Sequence, residues 1–146
     1  MHTTFRTAFA GLALSAAMVL GPAALAETVA FKAELKASSE VPPVESKGSG
    51  TLTATYDTAS KSLSYTANYS GLTGDATAAH FHGPAAAGVN AGVVVPVTGS
   101  AASPIKGSAI LTDAQAADLT AGRWYFNIHT AANKGGELRG QVVKGP

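Results

Sequence analysis

Cysteine is absent from all 146 residues. Disulfides and thiol chemistry are thereby excluded, and the fold must rest on its core or be helped by a bound metal ion. Charge is sparse as well: Asp, Glu, Lys and Arg make up 13% of the chain, ten basic residues standing against nine acidic ones. So even a balance leaves no basic surface of the kind nucleic acids require, and no nucleic-acid partner is expected. Also missing are a Gly-x-Ser-x-Gly elbow, a Walker loop, a dinucleotide fingerprint and a His-Glu-x-x-His pair. α/β-Hydrolase, P-loop, dinucleotide-binding and His-Glu-x-x-His metalloprotease readings therefore have no support. Histidine is scarce: of four in the chain, His2 lies near the start, leaving His80, His82 and His129.

What is present begins with a leader. The first six residues end in the cation Arg6, Phe9 to Leu25 is almost wholly apolar or small, and Ala24-Leu25-Ala26 meets the small-x-small rule. Residues 1–26 are therefore expected to be a signal peptide cleaved after Ala26, with the product exported to a periplasm or outside the cell. The apolar run is short for a bilayer span and is interrupted by Gly21-Pro22, so no membrane association is expected after cleavage; an uncleaved anchor is the alternative. Residues 27–146 have the size of one domain with one core. Arg6 leaves with the leader, so nine basic residues then face nine acidic ones. The resulting zero net charge favours self-association, with a homodimer as the candidate form.

Beyond the leader the dominant period is two. Val29, Phe31, Ala33 and Leu35 alternate with polar or small residues, as a half-buried strand requires. Leu52, Ala54 and Tyr56, then Leu63, Tyr65, Ala67 and Tyr69, alternate with Thr and Ser on either side of Asp57-Thr-Ala-Ser-Lys61 and predict a hairpin. Val41-Pro42-Pro43-Val44 reads as an extended loop, and Pro96 places the Val93–Val97 strand at an edge or bulge. One short helix is predicted from Ala114 to Leu119, with a capping box at Thr112 and Gln115 and Gly122 as its C-terminal stop. Arg123–His129 and Glu137–Val143 return to alternation. Seven to eight short strands and one short helix predict an all-β chain, a compact Greek-key-like β-sandwich or barrel.

The histidines carry the candidate chemistry. His80 and His82 are separated by one residue on a predicted strand, so both side chains leave the same face about 7 Å apart along the backbone, while Phe81 faces the core. His129 lies opposite the Trp124, Phe126 and Ile128 face of its own strand and can supply a third ligand. Such a pair also occurs as plain hydrogen-bonded or exposed histidine. All-nitrogen ligation suits Cu(II), Zn or Ni better than Ca or Mg, and copper stands at the top of the affinity order, with zinc the alternative. Arg139 shares a face with Glu137 and Gln141 and is either a guide for an anion or one half of a surface salt bridge. Asn127, two residues before His129, either orients an imidazole or caps a loop. Trp124 is expected in the core, and Tyr125 as a part-exposed ring.

Four stretches together resemble a known family. Leu35-Lys-Ala-Ser-Ser-Glu-Val-Pro-Pro-Val44, Ala79-His-Phe-His-Gly-Pro84, Tyr125-Phe-Asn-Ile-His-Thr130 and Gly135-Gly-Glu-Leu-Arg-Gly140 occur in the order seen in bacterial single-copy CHRD (chordin-type) domains. The resemblance implies a compact β-sandwich or barrel and places His80, His82 and His129 at recurring positions. It implies little about activity. A more distant similarity is to the copper site of Cu/Zn superoxide dismutase, in which comparison the three histidines would be copper ligands and Arg139 would attract the anion. The bridging histidine, the zinc-site ligands and the disulfide of that enzyme have no counterparts here.

Three functions follow as expectations. The first is an exported metal-binding protein that stores, delivers or buffers copper. The second is a copper oxidoreductase acting on superoxide, which would need an open coordination position. The third is a non-catalytic module that binds another exported protein through the Gly- and Ala-rich loop from Ala85 to Gly92.

Overall fold

Alternation of apolar and polar residues leaves each strand with one face to bury, and a single curled sheet satisfies all of them. The computed structural model describes residues 26–146, so the expected leader, apart from Ala26, lies outside the described residues. Among the described residues there are eight strands: β1 (Thr28–Lys36), β2 (Ser49–Asp57), β3 (Ser62–Ser70), β4 (Ala76–His82), β5 (Val93–Pro96), β6 (Ile105–Ile110), β7 (Trp124–Thr130) and β8 (Leu138–Lys144). They pair antiparallel in the order β5-β4-β7-β8-β1-β2-β3-β6. The sheet bends into a nearly closed barrel. Closure is visible in the core: Tyr65 on β3 and Phe81 on β4 stand near opposite ends of the strand order, yet their rings meet edge to face at 5.0 Å.

The inward residues are those that the alternation selects. Phe31, Ala33 and Leu35, then Leu52, Ala54 and Tyr56, then Leu63, Tyr65 and Ala67 are buried along β1, β2 and β3. Ala79 and Phe81 on β4, and Trp124, Phe126 and Ile128 on β7, close the other side. Phe81 touches Phe126 at 4.8 Å and Trp124 at 5.9 Å between ring centres. Such aromatic contacts add to the area burial that dominates core stability.

The helix α1 (Asp113–Thr120) forms where its caps require. Thr112 Oγ1 accepts from the Gln115 amide at 3.2 Å, and Gln115 Oε1 accepts from the Thr112 amide at 2.9 Å. Gly122 follows with φ +71°, a conformation that favours glycine and stops the helix. Leu119 is buried in the core, which ties the connection between β6 and β7 to the barrel. As expected from Pro96, β5 is an edge strand.

One strand is an addition to the sequence reading. β6, Ile-Lys-Gly-Ser-Ala-Ile, has only two large apolar residues, and their spacing puts them on opposite faces: Ile105 is buried and Ile110 is 71% exposed. Its periodicity is therefore too weak to read locally. Gly107 shares the inward face of Ile105, and it is glycine because Tyr65 occupies the space a side chain would need.

Candidate metal centre

The outward face of β4, β7 and β8 bears the residues that the strand parity places together. His80 pairs across from Asn127, which in turn pairs across from Arg139; His82 pairs across from Tyr125, which faces Gln141. His129 stands opposite Ala78 and diagonal to His80, a spacing that long side chains bridge. The rings of His80 and His82 lie 5.5 Å apart, and those of His80 and His129 lie 4.8 Å apart. One ring nitrogen from each of the three histidines falls within 4.8 Å of the others. Nitrogens bound at about 2.0 Å around a tetrahedral metal are separated by about 3.3 Å. The His80 Nδ1 to His129 Nε2 contact of 3.1 Å is already close to that separation.

Backbone carbonyls select the tautomers. A carbonyl can only accept, so His82 Nδ1 donates to Ala91 O at 2.9 Å and His129 Nδ1 donates to Lys134 O at 2.9 Å. In the neutral rings each Nε2 is left with a lone pair. His82 Nε2 is buried and makes no hydrogen bond. An orphaned buried acceptor is costly unless something electropositive meets it. The three nitrogens therefore fit a metal ion as ligand set, and no carboxylate or thiolate is needed to complete it. Burial pushes the His80 pKa down, as do the charges of His129 and His82. Burial also lowers that of His82, against a raising effect of the Ala91 carbonyl and the Asn127 side chain. Both shifts favour the neutral rings that metal ligation requires.

Around the histidines lies a second set of side chains. The Tyr125 ring stacks on His82 at 4.8 Å with an interplanar angle of 1°, and the Arg139 guanidinium lies 3.5 Å from the Tyr125 ring centre. Tyr125 is thus buried, not part-exposed as its position beside the helix end suggested. The sequence parity already placed it on the histidine face; what covers that face was not legible. The cover is the segment from Gly83 to Gly92. Arg139 donates to Asn90 Oδ1 at 2.8 Å and to Val89 O at 2.6 Å, and Gln141 Nε2 donates to Ala85 O at 2.9 Å. Asn90 Nδ2 continues to Val41 O at 3.1 Å, joining this loop to the one after β1.

Arg139 accordingly makes no surface salt bridge with Glu137. It is 2% exposed, and Glu137 is turned into a separate polar cluster. There the Glu137 carboxylate accepts from Ser46 Oγ at 2.6 Å, Thr73 N at 2.8 Å, Thr73 Oγ1 at 2.7 Å, Thr130 Oγ1 at 2.7 Å and Asn133 Nδ2 at 3.1 Å. Burial alone would raise this carboxyl; the hydroxyls of Ser46, Thr73 and Thr130 and the Thr73 amide outweigh it and hold the pKa down at about 2. Trp124 packs in the core as expected.

Asn127 lies between the histidines and the turn before β8, the two settings considered for it. Its Oδ1 lies 2.9 Å from His129 Nε2, and its Nδ2 reaches Gly135 O at 3.5 Å in the turn before β8. Beside it is a residue that the sequence reading did not single out. A 3₁₀ turn at Ala37–Ser39 folds the chain over the end of β1 and leaves Glu40 5% exposed, with Oε1 making no hydrogen bond. Burial raises its pKa to about 7, against the lowering influence of the Arg139 charge and the Asn127 amide. Gly136, at φ +128°, has no room for a side chain because Glu40 Oε1 and Asn127 Nδ2 fill that space. In the sequence Glu40 appears only within the Leu35–Val44 stretch of the family resemblance, with no role attached to it.

Among the described residues, no helix is long and apolar enough to cross a membrane. Neither the curated proteins nor the solved structures include a match to this chain. A family model does match: residues 31–142 align with the CHRD domain, a stretch that contains every one of the eight strands in whole or in large part and all three histidines. The chain belongs to the CHRD domain family.

Proposed function

We propose that this CHRD-domain chain is an exported metal-binding protein, that His80, His82 and His129 hold the ion, and that the ion is copper. The observation that carries this reading is the convergence of three ring nitrogens within 4.8 Å, one of them a buried His82 Nε2 with no hydrogen-bond partner. Copper is favoured over zinc by the affinity order for nitrogen sites. The ligand set is preorganised by Ala91 O and Lys134 O, which hold two rings in the tautomer that directs Nε2 inward. His80 and His129 are only half-buried, so the ion has a path to and from solvent, as storage, delivery or buffering requires. The leader-like residues 1–26 support export to the periplasm or beyond.

Action on superoxide would ask Arg139 to draw in an anion. Its guanidinium is committed to Val89, Asn90 and Tyr125 beneath the covering loop, which favours binding over turnover.

Competition titration of the protein with Cu(I), Cu(II) and Zn, beside a variant carrying His80→Ala, His82→Ala and His129→Ala, tests the reading. One-to-one binding that the triple variant loses is the expected result. Equal and weak binding by both proteins would overturn it.

A further inference from the structure

Beside His80, whose Nδ1 is the protein donor 3.1 Å from His129 Nε2, stand acceptors that this one N–H cannot all satisfy. His82 Nε2 is an orphan; His129 Nε2 carries a lone pair because Nδ1 donates to Lys134 O; and Asn127 Oδ1 lies only 2.9 Å from that same Nε2. Two acceptors at that distance repel unless a proton or a cation lies between them. An amide can turn over, so the direction of Asn127 needs a cause. The cause is on its other side: Nδ2 lies beside the buried Glu40 carboxyl, the two meeting where a Gly136 side chain would be, and reaches toward Gly135 O. The Gly135 carbonyl can only accept and the Glu40 carboxylate accepts when ionised, so the amide NH2 end belongs there and the oxygen is turned to the histidines.

We infer that Asn127 Oδ1 is a fourth donor of the histidine site, aimed by Glu40, and that it biases the site toward divalent copper or zinc over Cu(I). The inference rests on the three-histidine reading and adds to it an oxygen and a preference. Strand pairing supplies the placement: Asn127 sits on β7 directly across from His80 and two residues before His129, on the same face as both. The chemistry supplies the preference. An amide oxygen is a hard donor that a divalent ion accepts more readily than soft Cu(I), for which imidazoles alone are sufficient.

The test compares wild type, Asn127→Ala, Asn127→Asp and the triple histidine variant in titrations with Cu(II), Zn and Cu(I). Asn127→Ala is expected to weaken Cu(II) and Zn binding by about 10- to 100-fold and Cu(I) binding by less than about threefold, with Asn127→Asp restoring most of the divalent affinity. Equal losses for Cu(I) and Cu(II), or an unchanged Cu(II) affinity, would overturn the inference while leaving the three-histidine site standing. Absence of binding by wild type would overturn both. Wild-type protein provides a readout that does not depend on the variants folding: in ¹⁵N spectra taken during zinc addition, the Asn127 side-chain amide should shift more than those of Asn68, Asn90 and Asn133. An unmoved Asn127 amide would likewise overturn it.

Discussion

The outer face of this barrel differs between its two halves. On β1, β2 and β3 the outward residues are Lys32, Glu34 and Lys36, then Thr51, Thr53 and Thr55, then Ser64, Thr66 and Asn68, all exposed to water but Thr66, which is half-buried. On β4, β7 and β8 the outward residues are His80 and His82, then Tyr125, Asn127 and His129, then Arg139 and Gln141, which are buried or half-buried beneath the chain from Gly83 to Gly92 and the turn that carries Glu40. Both halves obey the same alternation. In the first half water satisfies each polar group, so the residue type matters little. In the second each polar atom must find a partner within the protein, so position and chemistry are specified together. A site for an ion belongs on the second kind of face.

The largest effect is expected from removing one buried charge on the covered face. Arg139→Ala is expected to cost roughly 2–4 kcal/mol in urea unfolding, because it empties the space over Tyr125 and leaves Val89 O and Asn90 Oδ1 without their donor. A loss under 1 kcal/mol would mean that the covered face tolerates substitution as the open one does. Next comes acid. Glu137 has a folded pKa below its usual value of 4.5, so its contribution is present in full above about pH 4.5 and is lost as pH falls toward about 2. A shift of that size corresponds to roughly 3 kcal/mol. Glu137→Gln should therefore flatten the stability profile over that window, and a profile parallel to wild type would contradict the assignment.

Two substitutions are expected to have smaller effects. Tyr125→Phe retains the stack on His82 and loses only the hydroxyl contacts to Ala91, for an expected cost of about 1 kcal/mol. Thr53→Ala, on the open half, should stay within about 0.5 kcal/mol of wild type.

Legibility in the sequence followed the range of the interactions. The hairpin of β2 and β3, the capping box at Thr112 and Gln115, and the edge position implied by Pro96 all depend on neighbours within a few residues, and all appear in the structure. The shared face of His80 and His82 was legible for the same reason, since a strand turns its side chains over every second residue. β6 was not, because its inward residues include Gly107, whose value lies in making room for Tyr65 on a strand some forty positions away. Glu40 was hidden for a related reason: nothing near it in the chain says that it will lie against Asn127 and Gly136.

Alternation fixed which residues of β1, β2, β3, β4 and β7 line the core and that the three histidines leave the barrel on its outer side. Tertiary structure decided that this part of the outer side would be covered, that Arg139 and Tyr125 would be buried there, and that Glu40 would face Asn127. The physical reason is that strand parity is a property of the local backbone, whereas the burial of a polar face depends on loops that reach it from elsewhere in the chain and must satisfy every group they cover.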